Sequence, residues 1–493
     1  MAQHYGPKAL TELLPGQDLP DRLIRGIALN SQDVGEDFLF AALQGAKVDG
    51  ATFIPQALEQ GAAAILLDQG RSIDLPSDVA QVSAPQARRA LAHIAANWFA
   101  RQPRHCVAVT GTNGKSSTVD LYAQLGRALG LTAASIGTLG VQTQAAHAGF
   151  GLTTPDTVKF QEILAGLDEQ GITHVALEAS SHGLDQFRID GAQLEAAAFA
   201  NITRDHLDYH GSFENYLYAK LRLVGEVLPP RGRAVINADA DHADRFIDIA
   251  WARGLPLCLV GFKGEHAKLL LRQPTGAGQR IVIEAEGRSF TIDFPLMGGF
   301  QVDNALLAAG LLQASGPSWG DILPHFAALK PVAGRLERVS DAQAKTSVIV
   351  DYAHTPDGLR AALGALRSHT SGALSVVFGC GGDRDAGKRP QMGKIAAQMA
   401  DSAIVTDDNP RSEDPAQIRS EILVACPGAQ DIGDRALAIE TAIATAQPGD
   451  TVLIAGKGHE RGQHVAGKVT PFDDRDVARA ILEGRGELRR GLA

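Results

Sequence analysis

Cysteine is scarce in this 493-residue chain: Cys106, Cys258, Cys380 and Cys426 lie far apart, and no two form a C-x-x-C pair. That excludes a disulfide framework and the common zinc modules, and it suits a reducing compartment. Aromatic residues make up only 5% of the chain and do not interleave with basic ones, which excludes stacking along a single nucleic-acid strand. Positive charge is also in the minority. The net charge of −10 argues against broad nucleic-acid or anionic-membrane binding. No run approaches the ~18 consecutive apolar residues of a membrane-spanning helix. Residues 1–16 lack the charged-then-apolar pattern of a secretory leader. The expectation is a soluble cytoplasmic globule; composition does not give its oligomeric state, which we take to be a monomer.

What the sequence does have is an α/β alternation that restarts twice. The length suggests about three domains, and 45% apolar with 21% charged residues is ordinary for packed cores. We expect three α/β domains: a small N-terminal one at 1–100, a central phosphate-loop domain with a parallel sheet at 101–335, and a Rossmann-like C-terminal one at 336–493. In the first, 38–43 and 62–67 read as strands, 53–60 and 87–99 as helices, and Asn30-Ser31-Gln32 opens a polar turn.

The central segment carries Val107-Ala-Val-Thr-Gly111-Thr-Asn-Gly-Lys-Ser116, an apolar strand breaking into glycines before a helical pattern. The glycines let backbone N–H groups turn toward one point, the helix N-terminus adds partial positive charge, and Lys115 adds a full one. The usual spacing puts a glycine at 109, where this chain has Val109. Strands expected at 135–140, 174–178 and 196–202 follow. Thr153-Thr154-Pro155-Asp156 reads as a helix start, in which capping by the threonines and substrate contact both fit. Glu178 ends one strand, and the cluster Thr203-Arg-Asp-His206-Leu-Asp-Tyr-His-Gly211 ends the next. Ligands bind beyond the carboxyl ends of such strands, so the phosphate loop, Glu178 and this cluster are expected to share a site. Asp, Glu and His are suitable ligands for a divalent cation. A helix at 213–224 carries Lys220, and Asn304 stands before a helix at 305–314, as a cap or facing a nucleotide. Residues 330–335 read as a linker broken by Pro331 and Gly334.

In the C-terminal segment, strands are expected at 347–352, 374–378, 403–411 and from 451, with a helix at 355–366. Three polar strand ends carry Arg384, Arg411 and Glu460. Arginine forks pair with a carboxylate while Glu holds an amine, so this arrangement suits a zwitterion.

Together these motifs resemble one family, the Mur ligases, ATP-dependent amide-forming enzymes of peptidoglycan precursor synthesis. The resemblance rests on Gly111-Thr-Asn-Gly-Lys-Ser116, Thr153-Thr-Pro155, Glu178-Ala-Ser-Ser-His-Gly-Leu184, Asn201-Ile-Thr-Arg-Asp-His-Leu-Asp-Tyr-His210, Ala219-Lys220 and Asp351-Tyr-Ala-His-Thr-Pro356, in family order over most of the chain. Asp408-Asn-Pro-Arg411 resembles the signature of members that add meso-diaminopimelate to UDP-N-acetylmuramoyl-L-alanyl-D-glutamate. The resemblance implies catalytic roles for Lys115, Glu178, His206 and Lys220. It implies ATP contacts from Gly111, Thr112, Asn113, Gly114, Lys115, Ser116, Ser117, Asn304, Arg335 and Asp351. UDP-substrate contacts would fall on Ser31, Thr153, Thr154, Ser180, Gln186 and Arg188. Contacts to diaminopimelate would fall on Arg384, Asp408, Asn409, Pro410, Arg411, Gly456 and Glu460. Mg²⁺ would be held by Ser116, Glu178, His206 and Lys220, the last as a carbamate (N6-carboxylysine).

Two departures bear on the nucleotide ends of the site. Asn30-Ser31-Gln32 stands where the family usually has Asp-Ser-Arg, and Gln301 stands where an asparagine usually precedes Asn304. A lysine-adding member, a ligase adding glutamate to folate, and an ATP-binding regulator remain as alternatives at this point.

Overall fold

The computed structural model describes residues 5–484 apart from 46–47, 72, 145–146, 149–152, 276–277 and 342–343. The outermost residues of the expected terminal domains, 1–4 and 485–493, lie outside the described residues. Three sheets organise the chain. The N-terminal one has four parallel strands, Gly26–Ala28, Phe38–Ala41, Ala62–Asp68 and Ala80–Ala84, in that spatial order. Ala62 to Leu67 are all buried, as expected of a parallel strand covered on both faces. The helix Ala87–Phe99 packs Leu91, Ile94 and Trp98 against this sheet and also lies against Thr157–Glu169 of the next unit.

The central sheet has eleven strands. Its parallel body runs Ala133–Gly137, His174–Glu178, His105–Thr110, Leu194–Phe199, Arg233–Asn237, Leu257–Gly261. Side chains alternate across it: Val107 and Val109 join one buried cluster with Leu121 and Leu125, while Cys106 and Ala108 join the other with Phe160 and Phe199. The expected parallel sheet therefore exists, but it is mixed at its edges. An antiparallel meander, Ala267–Thr275, Gly278–Ala285 and Arg288–Phe294, extends one side, and Gly140–Gln142 with His147–Ala148 extends the other. The strand His105–Thr110 lies between His174–Glu178 and Leu194–Phe199, which the later chain adds on its opposite sides. That is a topological switch point, where a crevice opens beyond the strand ends.

The C-terminal sheet places Glu337–Arg338 antiparallel to Ser347–Asp351, followed by parallel Thr451–Ala455, Leu374–Phe378, Ser402–Val405 and Gln430–Asp431. Helices Pro356–Arg367, Lys388–Met399 and Pro415–Leu423 bury Leu363, Met392 and Ile418 on one face. Arg435–Thr445 and Asp474–Leu482 bury Ile439 and Ala478 on the other. Among the described residues no helix is long and apolar enough to cross a membrane.

Several local expectations are corrected. The helix after Thr153 is Thr157–Glu169, and Asp156 caps it by accepting from Val158 and Lys159 N–H at 3.1 and 3.0 Å. Thr153, Thr154 and Pro155 lie before it, so the threonines are not caps. Asn304 is not a cap either, because its helix already begins at Gly299 (Gly299–Gln313). The helix carrying Lys220 ends at Arg222 and continues as a π-helical turn, Leu223–Val227. The strand expected at 403–411 is Ser402–Val405, and 408–411 form a loop beyond it.

Candidate active site

The phosphate loop leaves Thr110 and enters the helix Lys115–Ala128. Gly114 has φ +85°, and a Cβ there would stand 2.3 Å from Asn304 Oδ1, so only glycine fits. No side chain caps this helix, which leaves its first N–H groups and the positive end of its dipole open to an anion. The loop is braced from the neighbouring strand end. Asn113 N–H donates to Asn201 Oδ1 at 2.9 Å, and Asn201 Nδ2 returns to the Asn113 carbonyl at 3.1 Å.

Two lysines meet beneath the loop. Lys115 Nζ donates to the carbonyls of Gly111 and Thr112, both at 2.8 Å, and Lys220 Nζ donates to the same Gly111 carbonyl at 2.7 Å. Lys220 is 1% exposed. Burial, then the charge of Lys115, drives its pKa well below the ordinary lysine value, and burial also lowers that of Lys115. Both effects favour the neutral form of the Lys220 amine. Its Nζ lies 4.6 Å from the ring centroid of Tyr216, whose hydroxyl is 2.9 Å from Thr112 Oγ1.

Glu178 pairs in register with Val109, which puts its carboxylate beside the start of the loop. It is buried and accepts from Thr138 N–H at 2.8 Å and Thr138 Oγ1 at 3.2 Å. His206 takes a left-handed φ of +52° at the start of a short helix, Leu207–His210, with Nε2 3.5 Å from Asp205 Oδ2. Its side chain is 47% exposed, yet the protein around the ring still desolvates it in part. That desolvation, reinforced by His182, Lys115 and Lys220, outweighs the pull of Asp205 and pushes its pKa down to about 4. Its ring meets His182 at 4.9 Å, and His182 meets Tyr209 at 4.1 Å. The charge of Glu178 acts on Lys115, and the charge of Lys115 acts in turn on His206 and Lys220. The four expected catalytic groups are thus brought together.

The segment that links the central sheet to the C-terminal sheet reaches the same place through Arg335. Its Nη2 donates to Ser116 Oγ at 3.2 Å, and its guanidinium lies 4.5 Å from the Tyr352 ring centroid. Asp351 ends its strand nearby and accepts from Leu336 N–H at 2.7 Å; burial raises its pKa to about 6, against the pull of Arg335. Asn304 is buried behind Gly114, with Nδ2 donating to Gln301 Oε1 at 3.3 Å. Ser117, also buried, follows Ser116 in the first helical turn.

A second cluster flanks Glu178. Thr154 Oγ1 donates to the Glu178 carbonyl at 2.9 Å and lies 3.0 Å from Ser180 Oγ, and Thr153 Oγ1 accepts from Thr138 Oγ1 at 3.1 Å. Arg188 holds the Thr154 carbonyl at 2.7 Å and Gln186 Oε1 at 2.8 Å, and Gln186 Nε2 donates to Tyr209 at 3.0 Å. Five of the six expected UDP-substrate residues therefore form one network. Ser31 stands apart in the N-terminal unit, its hydroxyl bonded to Gln56 Oε1 at 2.7 Å.

The third cluster lies at the C-terminal strand ends. Asn409 Nδ2 donates to Glu460 Oε2 at 2.7 Å, and Arg411 Nη1 donates to the Gly382 carbonyl at 2.8 Å. Gly456 has φ +117°, and a Cβ there would stand 2.4 Å from Asp408 Oδ2. Pro410 takes Glu413 N–H on its carbonyl at 3.0 Å. Arg384 adjoins Asp383, which accepts from Ser412 Oγ at 2.6 Å, so its loop is tied to that of Arg411. Sequence reasoning passed over Thr138, Tyr216, His182 and Lys457. Each acts through a long-range side-chain contact that leaves no local spacing signal.

The chain is similar to known proteins along most of its length. Residues 23–105 match the model described as Mur ligase family, catalytic domain; 109–312 match the Mur ligase middle domain; 334–458 match the Mur ligase, glutamate ligase domain. A protein of Caulobacter vibrioides named UDP-N-acetylmuramoyl-L-alanyl-D-glutamate--2,6-diaminopimelate ligase is 50% identical over 97% of this chain and 99% of its own. The chain belongs to the Mur ligase family. A relative of the same name in Zymomonas mobilis subsp. mobilis is 51% identical over 94% of this Mur ligase and 95% of its own length. A solved structure with that name aligns with a TM-score of 0.72 at 32% identity, covering 98% of this chain and 100% of the other. A MurF ligase from Thermotoga maritima in complex with ADP shares the fold, with a TM-score of 0.62 at 19% identity over 94% and 98% of the two chains.

Proposed function

We propose that this Mur ligase uses ATP to join meso-diaminopimelate to the D-glutamyl γ-carboxylate of UDP-N-acetylmuramoyl-L-alanyl-D-glutamate, in peptidoglycan precursor synthesis. The observation that carries this reading is the 50% identity, over nearly the whole chain, to a relative named for that ligation. The Asn409–Glu460 and Arg411 arrangement supports a zwitterionic amine donor. Four buried free cysteines accord with action in the cytoplasm, and we take the working unit to be a monomer.

A carboxylate oxygen is a poor leaving group. The γ-carboxylate first attacks the γ-phosphorus of ATP, ADP departs, and an acyl phosphate results. The diaminopimelate amine then attacks the acyl carbon; the C–N bond forms, the C–O bond to phosphate breaks, and the nitrogen gives up its proton. Catalysis of the first step is mostly positioning and charge neutralisation. Lys115, released from the Gly111 and Thr112 carbonyls, neutralises the β- and γ-phosphates, and the uncapped helix N-terminus supplies N–H donors. Arg335 and Asp351, at the hinge to the C-terminal domain, bring that domain to the nucleotide, so domain closure completes the site.

The donor set fits a hard divalent cation. Among the described residues no three His, Cys, Asp or Glu side chains gather as a metal site, so Mg²⁺ requires a mixed set: the Ser116 hydroxyl, Glu178, neutral His206 and Lys220. Lys220 would serve as a ligand after taking up CO₂, the amine in its neutral form giving Lys–NH–COO⁻ and a proton; burial favours that neutral form. When bound, Mg²⁺ offsets the charge of the phosphates and the substrate carboxylate. The Thr154–Ser180–Arg188 network holds the peptidyl end of the nucleotide substrate, and Ser31 in the N-terminal unit holds the uridine end. The test is phosphate release with the UDP-dipeptide and a panel of meso-diaminopimelate, lysine and ornithine. Turnover with meso-diaminopimelate alone is expected, and a preference for lysine overturns the assignment.

A further inference from the structure

Lys457 is fully buried at the end of the strand Thr451–Ala455, beside the loop that carries Asn409. Its Nζ donates to three acceptors from two segments: the Gly462 carbonyl at 2.5 Å and Glu460 Oε2 at 3.4 Å in the stretch that follows it, and Asn409 Oδ1 at 3.4 Å across the strand ends. Asn409 Oδ1 also accepts from His464 N–H at 3.0 Å, while its Nδ2 donates to Glu460 Oε2 at 2.7 Å. The amide of Asn409 is therefore fixed in one orientation, with donors on its oxygen and an acceptor on its nitrogen. Glu460 Oε2 is committed to Asn409 and Lys457, and among the described residues Oε1 has no hydrogen-bond partner. The exposed hairpin Gly462–Val465 and Lys468–Pro471 closes this arrangement, since Arg411 N–H donates to the His464 carbonyl at 2.9 Å.

Resting on the ligase reading above, we propose that Lys457 is a positioning residue that sets specificity for a zwitterionic amine donor. The Lys457 ammonium offsets part of the Glu460 charge and holds Oε2, which leaves Oε1 uncommitted for a ligand. A substrate carrying only an ammonium at its far end then finds a half-neutralised carboxylate. One carrying both an ammonium and a carboxylate finds Glu460 Oε1 together with the Arg411 guanidinium, and is held at both groups. Lys457 touches no reacting atom in this arrangement; it acts through Asn409 and Glu460.

The test compares the full-length protein with Lys457→Gln, Lys457→Met and Lys457→Arg in phosphate-release kinetics, alongside thermal unfolding. In either neutral variant that folds, the KM for meso-diaminopimelate should rise about tenfold while the KM values for ATP and the UDP-dipeptide hold. The ratio of kcat/KM for meso-diaminopimelate over lysine should fall about tenfold, and Lys457→Arg should keep it near that of the unaltered protein. An unchanged ratio in the neutral variants overturns the proposal. So does a common rise in all three KM values, or failure of both neutral variants to fold, because each assigns Lys457 a purely structural role. If the unaltered protein does not turn over meso-diaminopimelate, it is the ligase reading that fails.

Discussion

Gly137→Ala should slow this ligase markedly without unfolding it. Gly137 ends the strand Ala133–Gly137 with a φ outside the left-handed region, so alanine suits its backbone. The obstacle is Glu178: a Cβ on residue 137 would stand 2.0 Å from its Oε1, 2.5 Å from Cδ and 2.6 Å from Cγ. Glu178 is buried in a central strand and must swing its carboxylate aside, losing Thr138 N–H and Oγ1 as donors. Hydrogen bonds to a charged group are worth about 1.5–3 kcal/mol each. Water replaces part of this, so a net loss of about 2 kcal/mol in transition-state stabilisation is expected, or about 30-fold in kcat/KM. Crowding should cost stability about 1–3 kcal/mol, which leaves the fold intact. Phosphate-release kinetics and a thermal unfolding curve read the two effects separately. A Gly137→Ala protein with the kcat/KM of the unaltered enzyme would show that Glu178 in this position does not serve the reaction.

Other perturbations probe the remaining parts of the structure. Lys220→Ala should lose activity about 100-fold or more, with partial recovery in formate or acetate, as expected if a carboxylate-like group is needed there; full activity without an added carboxylate would remove the carbamate role. Asp351 has its carboxyl pKa raised from 3.8 to about 6 by burial. The native state therefore binds the proton more tightly than the unfolded one, and stability falls as pH rises through that window, by up to about 3 kcal/mol. Asp351→Asn should flatten the fall in urea-unfolding free energy over that range, and a profile parallel to that of the unaltered protein would contradict it. Arg435 and Asp474 form a fully buried pair at 2.7 Å. Asp474→Ala leaves the guanidinium buried and uncompensated and should cost about 3–5 kcal/mol in urea unfolding, and a loss near zero would contradict that.

Where local periodicity carries the information, sequence and structure coincide. The helix Ala87–Phe99 and the strands His174–Glu178 and Leu374–Phe378 have the boundaries read from their apolar patterns. Val109, out of place in the longer phosphate-binding motif, is an ordinary buried strand residue that pairs with Glu178. Gly299–Gln313 was read too short because its first turn begins with glycine and looks like a loop. The edge strand Arg288–Phe294 does alternate, with Phe290, Ile292 and Phe294 turned to the core, but it is short and half exposed, and the hairpin after Lys457 is exposed with little apolar alternation to reveal it. At the site, motif residues announced the chemistry. The contacts that aim them, Thr138 on Glu178, Tyr216 beside Lys220 and Lys457 on Asn409, join segments distant in sequence or depend on side-chain geometry.

The decisive measurement is the identity of the product. Purified protein would be incubated with ATP, Mg²⁺, the UDP-dipeptide and meso-diaminopimelate, and the mixture resolved by mass spectrometry and NMR. The expected result is one new species with the mass of the two substrates less one water, a γ-amide linkage, and one ADP and one phosphate formed for each product molecule. Formation of ADP at the same rate with the UDP-dipeptide omitted, or without any new amide, would contradict the proposal that the bound nucleotide serves to activate a peptide carboxylate.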